Sequence, residues 1–287
     1  IGPLAGGGEG VNTPNLDYIA NQGVVFNNAM TPSPVCSPAR ASFHTGKMPS
    51  QHGVHDFLGE DTKYDANWLE GEVLLSERMK SQGYRTALLG KWHATTDSKI
   101  PQPGFDQWLS YDALKAGWQN QYQHSGKVLF SENGKNVSYQ GVQAGYLTHK
   151  AIDFIDESKD QPFFINLNFV EPHAPFEGLP ERLVAQYRNK ADHGLLMGQY
   201  GLYGKTNATD PSNFYEDNLK IPLIVYGGGK RLRTQQTRDE FVSLIDLHAT
   251  VLDFASNGEQ TAEYGPGQSF SSLLRGERLV DWKRLHI

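Results

Sequence analysis

Apolar runs of strand length that end at glycine- or proline-marked corners constrain this chain most. The strongest is PFFINLNFV (162–170), read as a buried strand, which leads into Glu171-Pro172-His173. VVFNNAM (24–30), Tyr84 to Leu89 and IPLIVYG (221–227) are further runs of the same kind. Helical spacing fills the intervals. NLDYIANQG follows a Thr13-Pro14 start, Leu74 to Gln82 is closed by Gly83, and Tyr146 to Ser158 and Val242 to Phe254 each carry an apolar stripe. Strands alternating with helices predict an α/β sheet with polar loops at one edge. Residues 94 to 144 are polar, aromatic-rich and weakly patterned, and read as loops over one face of that sheet.

The reactive chemistry concentrates in TPSPVCSPARASFHTGKMPSQHGV, starting at residue 31. Cys36 is the only cysteine, and Pro38 suits the first turn of a helix that Ala39 to Thr45 continue and Gly46 ends. Cys36 then sits at a helix N-terminus, where free N–H groups and the dipole favour negative charge. Arg40 falls one turn later, near the same face. A lone cysteine is more often a small buried hydrophobe, so the rest of the chain has to support a reactive reading.

Three further stretches do so. Lys91 and His93 end GYRTALLGKWH, two residues apart at a strand end, and can point to one face. His173 lies in EPHAPF after the strongest strand, where a sheet edge assembles sites. Asp192-His193-Gly194 is followed by GLYGK, which contains Lys205, and then by NFYEDNLKIPLIV. An Asp-His pair alone is a weak metal signal. GQYGLYGKT imitates a phosphate loop, but its glycine spacing is one residue too long and no buried strand precedes it.

Composition narrows the partners. A net charge of −6 over 287 residues gives no reason to expect nucleic acid or an anionic membrane surface, so an anionic substrate would need local positive charge. No apolar run approaches membrane-spanning length. One cysteine permits no intrachain disulfide, so cysteine usage does not distinguish an oxidising from a reducing compartment.

CSPAR with its following ASFHTGKMPSQHGV, the GYRTALLGKWH block, EPHAPF and the DHG–GLYGK pair resemble the formylglycine-dependent sulfatases of the alkaline phosphatase-like superfamily. The resemblance implies an α/β fold, a three-layer sandwich with a mostly parallel central sheet, and makes residues 1–287 a partial sulfatase catalytic domain. The family's paired calcium-binding aspartates end a first strand that would precede residue 1, and no Asp-Asp pair occurs in the chain. VAQYRNKADHG lacks the helix and buried strand that normally lead to Asp-His-Gly. The chain stops where the family's smaller C-terminal sheet would begin. The expected fold therefore lacks its first strand, one internal strand and the C-terminal subdomain.

The implied chemistry is hydrolysis of a sulfate ester, with a sulfated small molecule or glycan as substrate. A maturation enzyme would oxidise Cys36 to formylglycine. Ca2+, with Mg2+ as the alternative, would be held by Asp192, His193 and residue 36. Arg40 would favour the ionised nucleophile, Lys91, His173 and Lys205 would contact the sulfate, and His93 would support the formylglycine. The family works in the periplasm or outside the cell. Two other readings stay open: a phosphonate monoester or phosphodiester hydrolase of the same superfamily, and a non-catalytic glycan-binding relative. Trp108, Tyr111, Trp118 and Tyr122 are candidates for stacking on a sugar ring, set against ordinary packing.

Overall fold

The computed structural model describes residues 12–59, 67–111, 123–171, 173, 180–181, 196–197, 203–204, 219–227, 232–256, 265–278 and 282. Along the chain the elements begin with α1 (Pro14–Gln22), β1 (Val24–Met30), α2 (Cys36–Thr45), α3 (Pro49–His52), α4 (Leu75–Ser81) and β2 (Arg85–Gly90). There follow β3 (Gln107–Tyr111), β4 (Ser125–Glu132), β5 (Lys135–Val142), α5 (Gln143–Glu157) and β6 (Phe163–Asn168). The last are β7 (Leu196–Met197), β8 (Tyr203–Gly204), β9 (Lys220–Val225), β10 (Gln236–Arg238), β11 (Val242–Ser243), α6 (Leu244–Ser256) and α7 (Ser271–Leu274).

Contacts divide the chain into two compact units. One comprises residues 36–45 and 50–186 and holds a five-stranded sheet in the order β5-β4-β3-β2-β6. The strands β6, β2 and β3 run parallel, so their carboxyl ends share one edge, and β4 and β5 add on antiparallel. Alternation along the strands splits their side chains between two cores. Ala87, Leu89, Leu109, Tyr111 and Phe130 face one side and pack with Leu147, Ala151 and Phe154 of α5. Leu88 and Trp108 face the other, against Ala41 of α2, Leu74, Trp92 and Val54. Helices thus cover both faces, which makes three layers within this unit.

The other unit comprises residues 1–35, 46–49 and 187–287. Here β1 pairs in parallel with β10 and β11, and antiparallel with β9. Val24, Phe26, Ala29, Val242, Phe270 and Leu273 form its core. The apolar run at 221–227 is therefore a strand, but it opposes its neighbour in direction. Among the described residues four strand pairings are parallel and four antiparallel.

Several expectations hold along the chain. The helix over Cys36 to Thr45 forms and Gly46, at φ 71°, ends it. The strand at 24–30 and the helix closed by Gly83 form as well. The loop reading of 94 to 144 is corrected, because it contains β3, β4 and β5. The missed signal is Asn133-Gly134 between β4 and β5. Both residues take positive φ, 51° and 84°, as a two-residue hairpin turn requires, and Glu132 pairs with Lys135 across it. Trp108 and Tyr111 are buried rather than presented to a sugar: Trp108 packs with Trp92 and Phe105, and Tyr111 with Phe130. Trp118 and Tyr122 lie outside the described residues. β6 is less buried than its sequence predicts, with Phe163 40% exposed, because among the described strands it pairs on one side only.

Candidate active site

Helix α2 starts at Cys36, which is half-buried, and its first turn carries Ser37 and Pro38, both buried. Ser37 Oγ accepts the backbone N–H of Leu58 at 3.1 Å. The carbonyl of the same Leu58 lies 2.9 Å from His93 Nε2. A carbonyl oxygen only accepts, so Nε2 carries the proton. Leu58 therefore joins the first turn of α2 to the segment after β2. His93 is fully buried, stands at φ 52°, and meets the Phe57 ring edge-on at 4.9 Å. A non-glycine residue in the left-handed region is strained, and such strain gathers at functional positions.

A second clasp is built on Lys91. Its carbonyl accepts Arg40 Nη1 at 2.7 Å and Asn168 Nδ2 at 2.9 Å, while its N–H donates to Asn168 O at 2.9 Å. The residue is buried, with 2% exposure. Arg40 on α2, Lys91 after β2 and Asn168 at the end of β6 thus converge at the carboxyl edge of the parallel strands. The Arg40 guanidinium is held at this edge one turn into α2, and positive charge near a helix N-terminus favours an anion.

His173 follows β6, half-buried, with its N–H donated to Val170 O at 2.9 Å. Two residues earlier stands Glu171, whose carboxylate oxygens are shielded from solvent and receive no hydrogen bond among the described residues. The Tyr111 hydroxyl, at the end of β3, donates to Gln143 Oε1, and the Gln143 amide donates to Gln123 O. Burial pushes the Tyr111 phenol far above its usual pKa. The charge of Glu171 adds to that rise and the charge of Arg40 opposes it.

Of the residues expected from sequence, Cys36, Arg40, Lys91, His93 and His173 all fall in the unit of residues 36–45 and 50–186. Arg40 and Lys91 are in direct contact, and His93 reaches the first turn of α2 through Leu58. Asp192, His193 and Lys205 lie outside the described residues. Sequence reasoning missed Asn168 and Leu58. Asn168 left a faint trace, as a polar residue ending an apolar strand; Leu58 left none, since it acts through its backbone. His52 was missed too: its Nδ1 accepts Val54 N–H at 3.1 Å, so its Nε2 donates to Ser42 Oγ at 3.0 Å and pins the loop after α2.

Among the described residues no three His, Cys, Asp or Glu side chains converge as a metal site. Asp192 and His193, the side chains the resemblance assigns to a divalent cation, lie outside those residues.

The family model described as Sulfatase matches residues 5–193. The N-acetylglucosamine-6-O-sulfatase of Bacteroides thetaiotaomicron is 26% identical over 306 residues, covering 96% of this chain and 47% of the relative. The chain thus spans about half the length of that curated relative. The aligned stretch is also longer than the whole chain of 287 residues, so the relative carries residues inside it that this chain lacks. A protein solved in complex with its substrate D-glucosamine-2-N,6-O-disulfate superposes with a TM-score of 0.72 at 18% identity, over 96% of this chain and 78% of that one. The phosphonate monoester hydrolase of Silicibacter pomeroyi gives a TM-score of 0.67 at 17% identity, over 96% and 74%. The fold shared with these structures is the alkaline phosphatase-like α/β fold.

Proposed function

Because this chain belongs to the sulfatase family, we propose that it hydrolyses sulfate esters at the corner built by α2, the segment after β2 and the end of β6. The observation that carries the reading is the Arg40–Lys91–Asn168 clasp beside the N-terminus of α2. It holds the Arg40 guanidinium one turn into the helix that starts at residue 36, and positive charge there supports a site for a tetrahedral dianion and for the charge that grows on it during displacement.

A formylglycine made from Cys36 by a maturation enzyme would supply, as its hydrate, a hydroxyl nucleophile for sulfur. The half-buried position at a helix N-terminus fits such a group. Arg40 holds positive charge beside that position and is itself held by the Lys91 carbonyl. Lys91 and His173 bind non-bridging sulfate oxygens in this reading, and His173 protonates the departing oxygen. His93, with its Nε2 proton committed to Leu58, orients the residue at position 36. By the family resemblance Lys205 would also contact the sulfate. Asp192, His193 and residue 36 are the family-implied ligands for Ca2+ or Mg2+.

The name of the Bacteroides thetaiotaomicron relative supports a sulfated hexosamine as substrate. Work outside the cytoplasm follows from the family's habit. Among the described residues no helix is long and apolar enough to cross a membrane. The Silicibacter pomeroyi structure favours a phosphonate monoester as the second reading.

One panel separates them. Protein co-expressed with a maturation enzyme is assayed on glucosamine 6-sulfate, an aryl sulfate, an aryl phosphonate monoester and a phosphodiester. Sulfate release should dominate, and Cys36→Ala should lower it by at least about 10³-fold. Preferred turnover of the phosphonate would shift the assignment. Wild-type sulfate release by Cys36→Ala would refute the nucleophile position.

A further inference from the structure

Native folds leave few buried polar groups without a partner, and each one has a reason. Glu171 is such a group: both carboxylate oxygens are shielded, and no described residue donates to them. An ionised carboxylate in that setting is tolerated only where positive charge lies near.

The topology supplies that charge. β6 ends at Asn168, which shares the Lys91 carbonyl with Arg40, and Glu171 follows three residues on. The buried Tyr111 ring lies within the field of both the Glu171 carboxylate and the Arg40 guanidinium. Glu171 thus stands three residues past the strand end that meets Arg40 and Lys91, and neither of them bonds to its carboxylate. Positive charge beside a helix N-terminus holds an inorganic dianion after the ester is cleaved.

We propose that Glu171 sets the charge of this corner: its buried carboxylate offsets part of the Arg40 and Lys91 charge, weakens the grip on sulfate and speeds product release. The inference rests on the sulfatase reading. Glu171 acts through the cations and not on the substrate, so its role is that of a positioning residue. At an effective dielectric of about 20, one unit charge roughly 12 Å from an anion changes its affinity by about tenfold.

The test is a calorimetric titration of inorganic sulfate into the full protein, the Glu171→Gln variant and the charge-conserving Glu171→Asp variant, with turnover measured alongside. Glu171→Gln should bind sulfate about tenfold more tightly, with kcat and KM for a sulfate ester falling together. Glu171→Asp should stay within about twofold of wild type. A purely structural role would weaken sulfate binding in Glu171→Gln, and that result overturns the proposal. So does unchanged affinity, absence of sulfate binding in every form, or equal behaviour of the two variants. If the wild type binds sulfate but cleaves no sulfate ester, the sulfatase reading fails while the titrations still judge Glu171. If cleavage proceeds and the affinities do not differ, only the role of Glu171 falls.

Discussion

At Gly90 the backbone takes φ 106°, and a Cβ there would stand 2.1 Å from the carbonyl oxygen of Asn168. That oxygen also accepts the Lys91 N–H, so any side chain at 90 pushes against the bond that fixes Lys91. Gly90→Ala should therefore destabilise the protein by about 2–4 kcal/mol and reduce turnover further than lost folded protein explains. Urea melts and single-turnover rates at equal folded fraction check this. The candidate residues were legible one by one, because Cys-x-Pro-x-Arg and Gly-Lys-x-His have fixed spacings. Their supports were not. Asn168, Leu58 and Glu171 come from positions 58 to 171, and no local pattern records that the sheet brings them to one corner.

Between β2 and β3 the order depends on Asp106, which precedes β3. Its carboxylate accepts the Thr86 N–H at 3.0 Å and Lys80 Nζ at 2.6 Å. Burial alone would raise its pKa, but the hydrogen bonds from Lys80 and from Thr86 outweigh burial and hold it below the ordinary value of 3.8. A depressed carboxylate stabilises the fold above its unfolded pKa and loses that contribution as pH falls through the folded one. Asp106→Asn should thus cost about 1 kcal/mol at pH 7, the pair being partly exposed to solvent. The gap between variant and wild type should narrow once pH drops below 3.8. Urea titrations at neutral and acid pH measure it, and a gap that widens on acidification would contradict the assignment. At this scale α2, α4, β1 and β2 were readable, since periodicity and glycine stops are local. The hairpin of β4 and β5 escaped because its strands alternate too weakly for period to reveal them. β6 was read correctly as a strand and wrongly as fully buried, since burial depends on neighbours and not on its own apolar content.

The 287-residue chain carries a net charge of −6, so the proposed sulfated substrate gains nothing from its long-range field. Raising salt screens the repulsion between substrate and protein, with a Debye length of about 8 Å at physiological ionic strength. kcat/KM for a sulfated sugar should accordingly hold steady or rise slightly as salt increases from low to physiological levels. A steep fall, measured in a stopped assay across that range, would mean that steering by a positive field dominates association. The α/β class, the helix that begins at Cys36 and the choice of candidate reactive and cationic residues all came from the sequence itself. Each depends on spacing within a few turns of chain, where backbone geometry alone sets which side chains are neighbours. Tertiary structure alone decided the rest: the antiparallel course of β9, the burial of Trp108 and Tyr111, and the meeting of Arg40, Lys91 and Asn168 at one carbonyl. Those outcomes depend on which distant segments pair, and pairing is settled by the collective burial of apolar surface and not by any single stretch of residues.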